Sequence, residues 1–300
     1  MRPLNDPPQD ETKLPSPKIP QGGKKEQITL KEIPQAPIAS AIDSIKPFAT
    51  AFISGQQHIG SGTFVTVNGR YGILTAEHVW EAVKNRAKME SAISIIAADG
   101  FHQLKIPIDH LVPHLRLPFA DDGSLPDIQF LELPAVHVAT IYARKSFANL
   151  TKEPATKLEF AEMDVGFLYF TGLPEEVATI EESDSTGTIS ILLKGGYVGG
   201  ISRKWTVGDF DFFENESESH LAGVPSDYGG ASGGGVWRVE LKKKPGAPMS
   251  EMRIGRFELI GVTFFQTSPE KGPVILKHNG PKTIYQTLPK LVSPASKLEK

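Results

Sequence analysis

Short apolar runs separated by turn residues fill the chain from Phe48 to about residue 292, and this alternation constrains the fold most. Glycine and proline are frequent, with 28 and 24 of the 300 residues, which favours many turns over long helices. Three strands can be read in AFISGQQHIGSGTFVTVNGRYGILTA, where Asn68-Gly69 is a hairpin signal between two of them. Helical spacing is confined to residues 77–88 and 282–291. The pattern therefore predicts an all-β fold.

Composition excludes several classes of function. Hydrophobic residues make up 39% of the chain, enough for a core, and 32 basic against 35 acidic residues give a net charge of −3. We therefore expect neither nucleic acid nor a membrane surface as a partner. The absence of cysteine excludes disulfides, thiolate metal sites and a cysteine nucleophile. No apolar run approaches the ~20 residues of a membrane helix, and the N-terminal sequence has no apolar signal region, so a cytoplasmic location is expected.

Residues 1–46 differ from the rest of the chain. Eight prolines punctuate this segment, with charged residues and glutamine between them. Because proline blocks helices and sheet ladders, and few apolar groups are available to offset ordering, we expect a disordered or loosely packed tail. A short piece around residues 28–33 could pair as a strand.

A glycine-rich serine motif, GASGG at 230–234, carries the first sign of chemistry. A serine hydroxyl is a weak nucleophile at neutral pH and needs both a neighbouring base and backbone amides aimed at the developing oxyanion. Glycines around Ser232 allow the tight turn that brings such amides together, and the candidates are the amides of Gly230 and Ser232. A phosphate-binding loop is disfavoured because no Gly-Lys-Ser/Thr follows.

A histidine and two aspartates could complete such a site. His78, in LTAEHV directly after a predicted strand, is the candidate base, because imidazole titrates near neutrality and can take and return a proton. A carboxylate must then orient the ring. Asp127 opens the apolar strand DIQFLEL and Asp164 opens DVGFLYF, so the residues alone leave the acid undecided.

Together these motifs resemble the trypsin/chymotrypsin-like serine protease superfamily in its disulfide-free bacterial form. GSGTFV at 60–65 and GILTAEHV at 72–79 are similar to the strands that deliver the histidine of that family. GGASGGGVW at 229–237 is similar to its serine loop, and FELIGVTFF at 257–265 to the strand that lines its specificity pocket. GPVILKHNGPKTIYQTL at 272–288 resembles its last strand and C-terminal helix.

The resemblance implies a peptidase domain over residues 47–292, made of two six-stranded antiparallel β-barrels. The first barrel would cover about 47–155 and the second about 160–292, with a short helix after the histidine motif, a helix at the C-terminal end and a tail over 293–300. In the family, histidine and aspartate come from the first barrel and serine from the second.

That arrangement favours Asp127 over Asp164 as the acid. Asp127 follows His78 by 49 residues, which is close to the proportions of the family, whereas Asp164 would lie at the junction between the barrels. The implied triad is His78, Asp127 and Ser232, with the amides of Gly230 and Ser232 at the oxyanion.

Two features depart from the family pattern. Ala231 replaces the acidic residue that usually precedes the serine and pairs with a new N-terminus after cleavage, so activation of that kind is not expected. Ser226 aligns with the floor of the specificity pocket, and Thr263, Phe264 and Gln266 align with its wall, where many members have glycine in place of Gln266. A neutral, narrowed pocket predicts a preference for small or medium apolar side chains.

We therefore expect a serine endopeptidase that works through an acyl-enzyme on peptide or protein substrates and needs no cofactor and no metal. The oligomeric state is not predicted. The main alternative is a protease-like module that binds peptides or proteins without cutting them. Gly230, Ser232 and Gly234 also match the nucleophile elbow of α/β-hydrolases, but only His278 follows the serine, and strand–helix alternation is weak before it.

Overall fold

The computed structural model describes residues 35–55, 57–98, 102–115, 117, 123–152, 166–174, 180–182, 189–191, 196–198, 201–217, 225, 227–244, 247–268 and 274–294. Over these ranges the chain forms two large, mainly antiparallel sheets, one two-stranded sheet and a few short helices. No helix in these ranges is long and apolar enough to cross a bilayer.

The first sheet has eight strands. They are β1 (Ala49–Ser54), β2 (Gln57–Val67), β3 (Arg70–Thr75), β4 (Ala92–Ala98), β5 (His102–Pro107), β6 (Val112–Pro113), β7 (Gln129–Glu132) and β8 (Ala148–Asn149). The order of neighbours is β5-β4-β1-β2-β3-β7-β6, and β8 pairs in parallel with β2. Asn68 and Gly69 join β2 to β3 with φ values of 51° and 81°. Positive φ at both positions is what a type I′ hairpin turn requires, so the predicted hairpin is confirmed.

Nine further strands come from the second half of the chain. They are β9 (Gly166–Phe170), β10 (Ile180–Glu182), β11 (Ile189–Ile191), β12 (Gly196–Val198), β13 (Ile201–Val207), β14 (Phe210–Glu216), β15 (Gly235–Lys242), β16 (Arg253–Gln266) and β17 (Ile275–Asn279). Seven of them form the second sheet in the order β12-β9-β15-β16-β17-β14-β13, whereas β10 and β11 pair with each other.

In the described part of the chain, four short α-helices accompany the sheets. They are α1 (Gln35–Ile45), α2 (Glu77–Glu90), α3 (Ala135–Tyr142) and α4 (Leu288–Leu291). A π-helical turn, Thr283–Thr287, leads into α4. The predicted fold class is thereby confirmed: the protein is all-β, with a helix that begins within the histidine motif and another near the C-terminal end. The two sheets hold eight and seven strands rather than six each.

Helix α1 corrects the predicted tail, which was assigned to residues 1–46. Ile38, Ala41 and Ile45 of this helix are buried, because apolar residues recur at spacings of three and four along QAPIASAIDSI. Pro37 lies in the first turn, where backbone amides have no helical partner, so it does not break the helix. The density of proline concealed this periodicity. The predicted strand around residues 28–33 lies outside the described residues.

The core is shared between the two sheets. One cluster of buried side chains combines Val65 and Phe130 of the first sheet with Tyr169 and Trp237 of the second. The buried face of α1 joins the same cluster. Apolar burial stabilises by about 25 cal/mol per Å², so this cluster holds the two sheets against each other and fixes what lies between them.

The C-terminal segment is bound to the β2–β3 turn of the first sheet. Asn68 Nδ2 donates hydrogen bonds to the carbonyl oxygens of Pro289 and Val292, at 2.6 and 2.7 Å. The guanidinium of Arg70 donates to the carbonyl of Ser293 at 2.7 Å and also pairs with Glu132 of β7 at 2.7 Å. A segment that follows the second sheet therefore contacts the β2–β3 turn of the first.

A buried histidine lies in the second sheet. His278 of β17 is fully buried, its Nδ1 lies 2.9 Å from Thr263 Oγ1, and its ring packs on Phe213 with centroids 4.7 Å apart. Nε2 has no hydrogen-bond partner among the described residues. Burial disfavours the charged imidazolium and lowers the pKa of His278 to about 3. Burial likewise lowers the pKa of His58 to about 4.

We expect the stability of the protein to fall as the pH drops below about 6.5. The unfolded chain then binds a proton at His278 that the folded chain excludes, a loss of about 3 kcal/mol at about pH 4. Urea unfolding across this range should show a smaller pH dependence for His278→Asn, which keeps a polar group beside Thr263. The exposed-histidine control, His110→Asn, should keep the full dependence. An unchanged slope in His278→Asn would contradict the assignment.

Candidate active site

Sheet register brings His78 and Asp127 together. Strand β3 ends at Thr75, which pairs with Gln129 at the start of β7. His78 is the second residue of α2, which begins just after β3, and Asp127 lies two residues before β7. Both residues therefore lie at the same end of the paired strands β3 and β7. Asp127 Oδ2 lies 2.5 Å from His78 Nδ1, and Oδ1 accepts a hydrogen bond from the His78 amide at 3.2 Å.

The two side chains differ in exposure. The carboxyl of Asp127 is 6% exposed and the imidazole of His78 is 40% exposed. A carboxylate beside Nδ1 holds the proton on that nitrogen, which leaves Nε2 with a lone pair on the exposed side of the ring. Asn279, at the end of β17, donates from Nδ2 to the carbonyl of Asp127 at 3.0 Å. Asp127 is thus anchored to both sheets.

The serine loop lies directly before β15 and depends on glycine. Gly230 and Gly233 have φ values of 81° and 92°, which favour glycine. A Cβ on Gly233 would lie 1.9 Å from the carbonyl oxygen of Ser61 and 2.4 Å from Thr75 Oγ1. No other residue fits there. Because Thr75 precedes His78 by only three residues, this contact sets the loop against the strand end that carries the histidine.

Ser232 is half-buried in this loop. Its Oγ lies 3.5 Å from the carbonyl oxygen of Phe264, at the long limit of a hydrogen bond. The structure records no hydrogen bond between Ser232 Oγ and the imidazole of His78, both described residues. Hydrogen bonds between catalytic groups are often long until a substrate binds, so the lack of this bond does not exclude Ser232 as a partner of the imidazole.

Two amides of the loop have no hydrogen-bond acceptor among the described residues. The amides of Ala231, Gly233 and Gly234 donate to the carbonyls of Tyr228, Thr263 and Ala231, respectively. The amides of Gly230 and Ser232 donate to no acceptor in the described part of the chain. These are the two amides that the sequence analysis assigned to the oxyanion.

Of the predicted pocket residues, Thr263 and Phe264 face the core. Thr263 is 2% exposed and its hydroxyl lies against His278. Phe264 is also 2% exposed and packs on Phe212, with ring centroids 5.9 Å apart. These two residues can therefore contribute to a pocket only through their main chain. Ser226 and the alternative acid Asp164 lie outside the described residues.

Gln266 connects the end of β16 with the chain that leads into the serine loop. Its Oε1 accepts a hydrogen bond from the Tyr228 amide at 2.7 Å, and its Nε2 donates to Asp227 Oδ1 at 2.5 Å. This second bond, followed by that from the Gly229 amide, lowers the pKa of the Asp227 carboxyl. The side chain thus bridges the two segments that the resemblance assigns to the walls of the pocket.

Sequence reasoning missed the polar residues that support the site. Gln129 is buried, and its Nε2 donates to Glu77, the neighbour of His78, at 2.5 Å. Burial, more than any charge nearby, raises the pKa of the Glu77 carboxyl. Ser61 and Asn279 were also missed, although Ser61 lies within the quoted GSGTFV motif. Their partners are distant in sequence, so no local pattern could have revealed these contacts.

Among the described residues, no three histidine, aspartate or glutamate side chains are grouped so that they could hold a metal ion. The ring of His114 contacts a carboxylate: its Nε2 lies 2.8 Å from Glu132 Oε2. The same oxygen also pairs with Arg70.

No protein-family model and no curated protein matches the sequence. Among solved structures, neuropsin, a serine protease expressed in the limbic system of mouse brain, is similar to 82% of this chain and 93% of its own, with 15% identity and a TM-score of 0.40. The serine protease domain of the Sesbania mosaic virus polyprotein matches over 81% and 92%, with 12% identity and a TM-score of 0.39. A chain from work on the folding and binding of the Sesbania mosaic virus VPg protein matches over 81% and 90%, with 11% identity and a TM-score of 0.40. Likenesses this distant do not carry a function over to this chain.

Proposed function

We propose that this protein is a serine endopeptidase with Ser232 as nucleophile, His78 as general base and Asp127 as the acid that orients the imidazole. The observation that carries the proposal is the double contact of the Asp127 carboxylate with the ring and the amide of His78, at 2.5 and 3.2 Å. A buried carboxylate that accepts both donors fixes the ring and stabilises its charged form. The serine loop packs against the same strand end.

The proposed reaction has two stages, acylation of Ser232 and hydrolysis of the acyl-enzyme. Ser232 Oγ attacks the scissile carbonyl carbon while its proton passes to His78 Nε2. The amides of Gly230 and Ser232 donate to the oxyanion. The C–N bond then breaks, the amine leaves with the proton from His78, and the acyl group stays on Ser232. A water molecule, deprotonated by His78, hydrolyses the ester and restores the hydroxyl. The substrate is a peptide or protein, and the cytoplasmic location predicted above is part of the proposal.

One observation favours a second function, a protease-like module that binds without cutting. Ser232 Oγ approaches the carbonyl of Phe264 rather than His78. A serine turned permanently toward that carbonyl would not lose its proton to the imidazole, while the cleft could still hold a peptide.

A fluorophosphonate probe separates the two functions. The wild-type protein should be labelled, because the probe reacts with an activated serine, and Ser232→Ala should not be labelled. Ser202→Ala, which removes an exposed serine of β13, should be labelled like the wild type. Thermal unfolding should show that Ser232→Ala remains folded, since a half-buried hydroxyl without a strong partner adds little stability. Absence of labelling in the folded wild-type protein would support the binding module.

Asp127→Asn tests the acid. The amide oxygen can still accept from the His78 backbone, but the carboxamide no longer stabilises the charged imidazole, so kcat should fall by about 10⁴-fold. Asp164→Asn should leave kcat close to that of the wild type, as measured on a chromogenic peptide. A large loss of kcat in Asp164→Asn, together with a fully active Asp127→Asn, would assign the acid to Asp164 instead.

Gln266 is expected to restrict the pocket through its bridge to Asp227 and Tyr228. Removing the bridge with Gln266→Gly should raise kcat/KM for large apolar residues relative to alanine at the cleaved position by about tenfold, since each buried methylene is worth roughly that factor or more. A peptide library measures the profile, and Gln103→Gly, at an exposed position of β5, is the control. An obligate arginine in the wild type, or an unchanged profile in Gln266→Gly, would contradict this prediction.

A further inference from the structure

Ser61 of β2 is a polar residue near the serine loop that the proposed reaction does not use. This residue is fully buried. Its hydroxyl donates to the carbonyl of Gly230 at 2.9 Å and accepts from the amide of Leu173 at 2.8 Å. Its amide donates to the carbonyl of Ser232 at 2.8 Å, and its carbonyl accepts from Thr75 Oγ1 at 2.8 Å. A first-sheet residue therefore binds the serine loop at two carbonyls.

These bonds fix the peptide groups around the nucleophile one by one. The peptide between Gly230 and Ala231 is held at both ends, its carbonyl by the Ser61 hydroxyl and its amide by the carbonyl of Tyr228. The peptide after Ser232 is also held at both ends, because its carbonyl accepts from the Ser61 amide and the amide of Gly233 donates to Thr263. The carbonyl of Ala231 accepts from Gly234.

The amides of Gly230 and Ser232, in contrast, have no acceptor among the residues that the structure describes. The direction of the Gly230 amide depends on the φ and ψ of a glycine, which has wide rotational freedom unless the next peptide is fixed. With φ at 81°, Gly230 is held in a left-handed conformation beside that fixed peptide. If the Gly230 carbonyl lost its buried donor, the peptide could rotate to find another, because an unpaired buried carbonyl is costly.

We propose that Ser61 is a positioning residue for the oxyanion site, and that its buried hydroxyl keeps the amides of Gly230 and Ser232 directed at the substrate carbonyl. This role rests on the proposed peptidase function. Ser61 touches no reacting atom; it acts through the main chain of the loop. The side chain of Ala231, next to Ser232, carries no charge, so hydrogen bonds between neutral groups set the orientation of these two amides.

Ser61→Ala tests the proposal, with Thr50→Val as the matched control. Thr50 of β1 is also fully buried, and its hydroxyl also donates to a main-chain carbonyl, that of Ile96, at 3.0 Å, but it does not contact the serine loop. Each variant removes one buried hydroxyl from the first sheet. Loss of one oxyanion donor lowers kcat by about 10²–10³-fold, so partial misalignment in Ser61→Ala should lower kcat by about 10- to 100-fold with KM within about twofold.

A peptide aldehyde adds a second readout, because its adduct with serine places an oxyanion where the two amides converge. Affinity for the aldehyde should fall in Ser61→Ala by about the same factor as kcat, while a substrate-like peptide with no reactive carbonyl keeps its affinity. Thr50→Val should keep both at wild-type values. If Ser61→Ala does not fold, Ser61→Cys, which retains a weak donor of similar size, should show the same effects in smaller degree.

The possible outcomes distinguish this role from the peptidase function itself. A folded wild-type protein that neither cleaves peptides nor reacts with the probe would overturn both proposals. An active wild-type protein with an equally active Ser61→Ala variant would overturn only the role of Ser61. Equal losses of kcat in Ser61→Ala and Thr50→Val would also overturn it, because the effect would then come from general loosening of the first sheet.

Discussion

The candidate site depends on the contact that the serine loop makes with Ser61 of β2 and with the end of β3. At this contact a glycine, Gly233, lies where a side chain would collide with the carbonyl of Ser61. A backbone hydrogen bond from Ser61 to Ser232 joins the two sheets at the same point. Strand register in the first sheet has already set His78 beside Asp127. The close approach of Gly233 to Ser61 thus sets the serine loop against the strands that lead to His78.

Burial strengthens the contact between Asp127 and His78. The carboxyl of Asp127 is almost fully removed from water, which is unfavourable for a charge unless donors replace the lost hydration. His78 supplies two donors to the carboxylate, and Asn279 supports the main chain of the same residue from the second sheet. Because these groups extend from strands and strand ends rather than from long loops, their separations are held by the sheets and their shared core.

Local sequence patterns predicted the elements that are formed by residues close together in the chain. The Asn68-Gly69 hairpin, the helix after LTAEHV and the strand character of the domain all follow from residues close in sequence. The choice of Asp127 needed a family resemblance, because the sequences of β3 and β7 do not reveal that Thr75 pairs with Gln129. Ser61 could not be recognised, since its hydroxyl partners lie 169 and 112 residues away. Helix α1 was missed because the prolines of the first 46 residues outweighed the apolar spacing of three and four in QAPIASAIDSI.

The bonds from Asn68 and Arg70 to the segment around Val292 have a consequence for how the molecule is held together. The chain crosses from the first sheet to the second and then returns, so that its later part fastens the hairpin formed by its earlier part. Cutting the chain between the two sheets would leave them joined by these hydrogen bonds and by the core that they share. Separation of the sheets would therefore require the bonds from Asn68 and Arg70 to break as well.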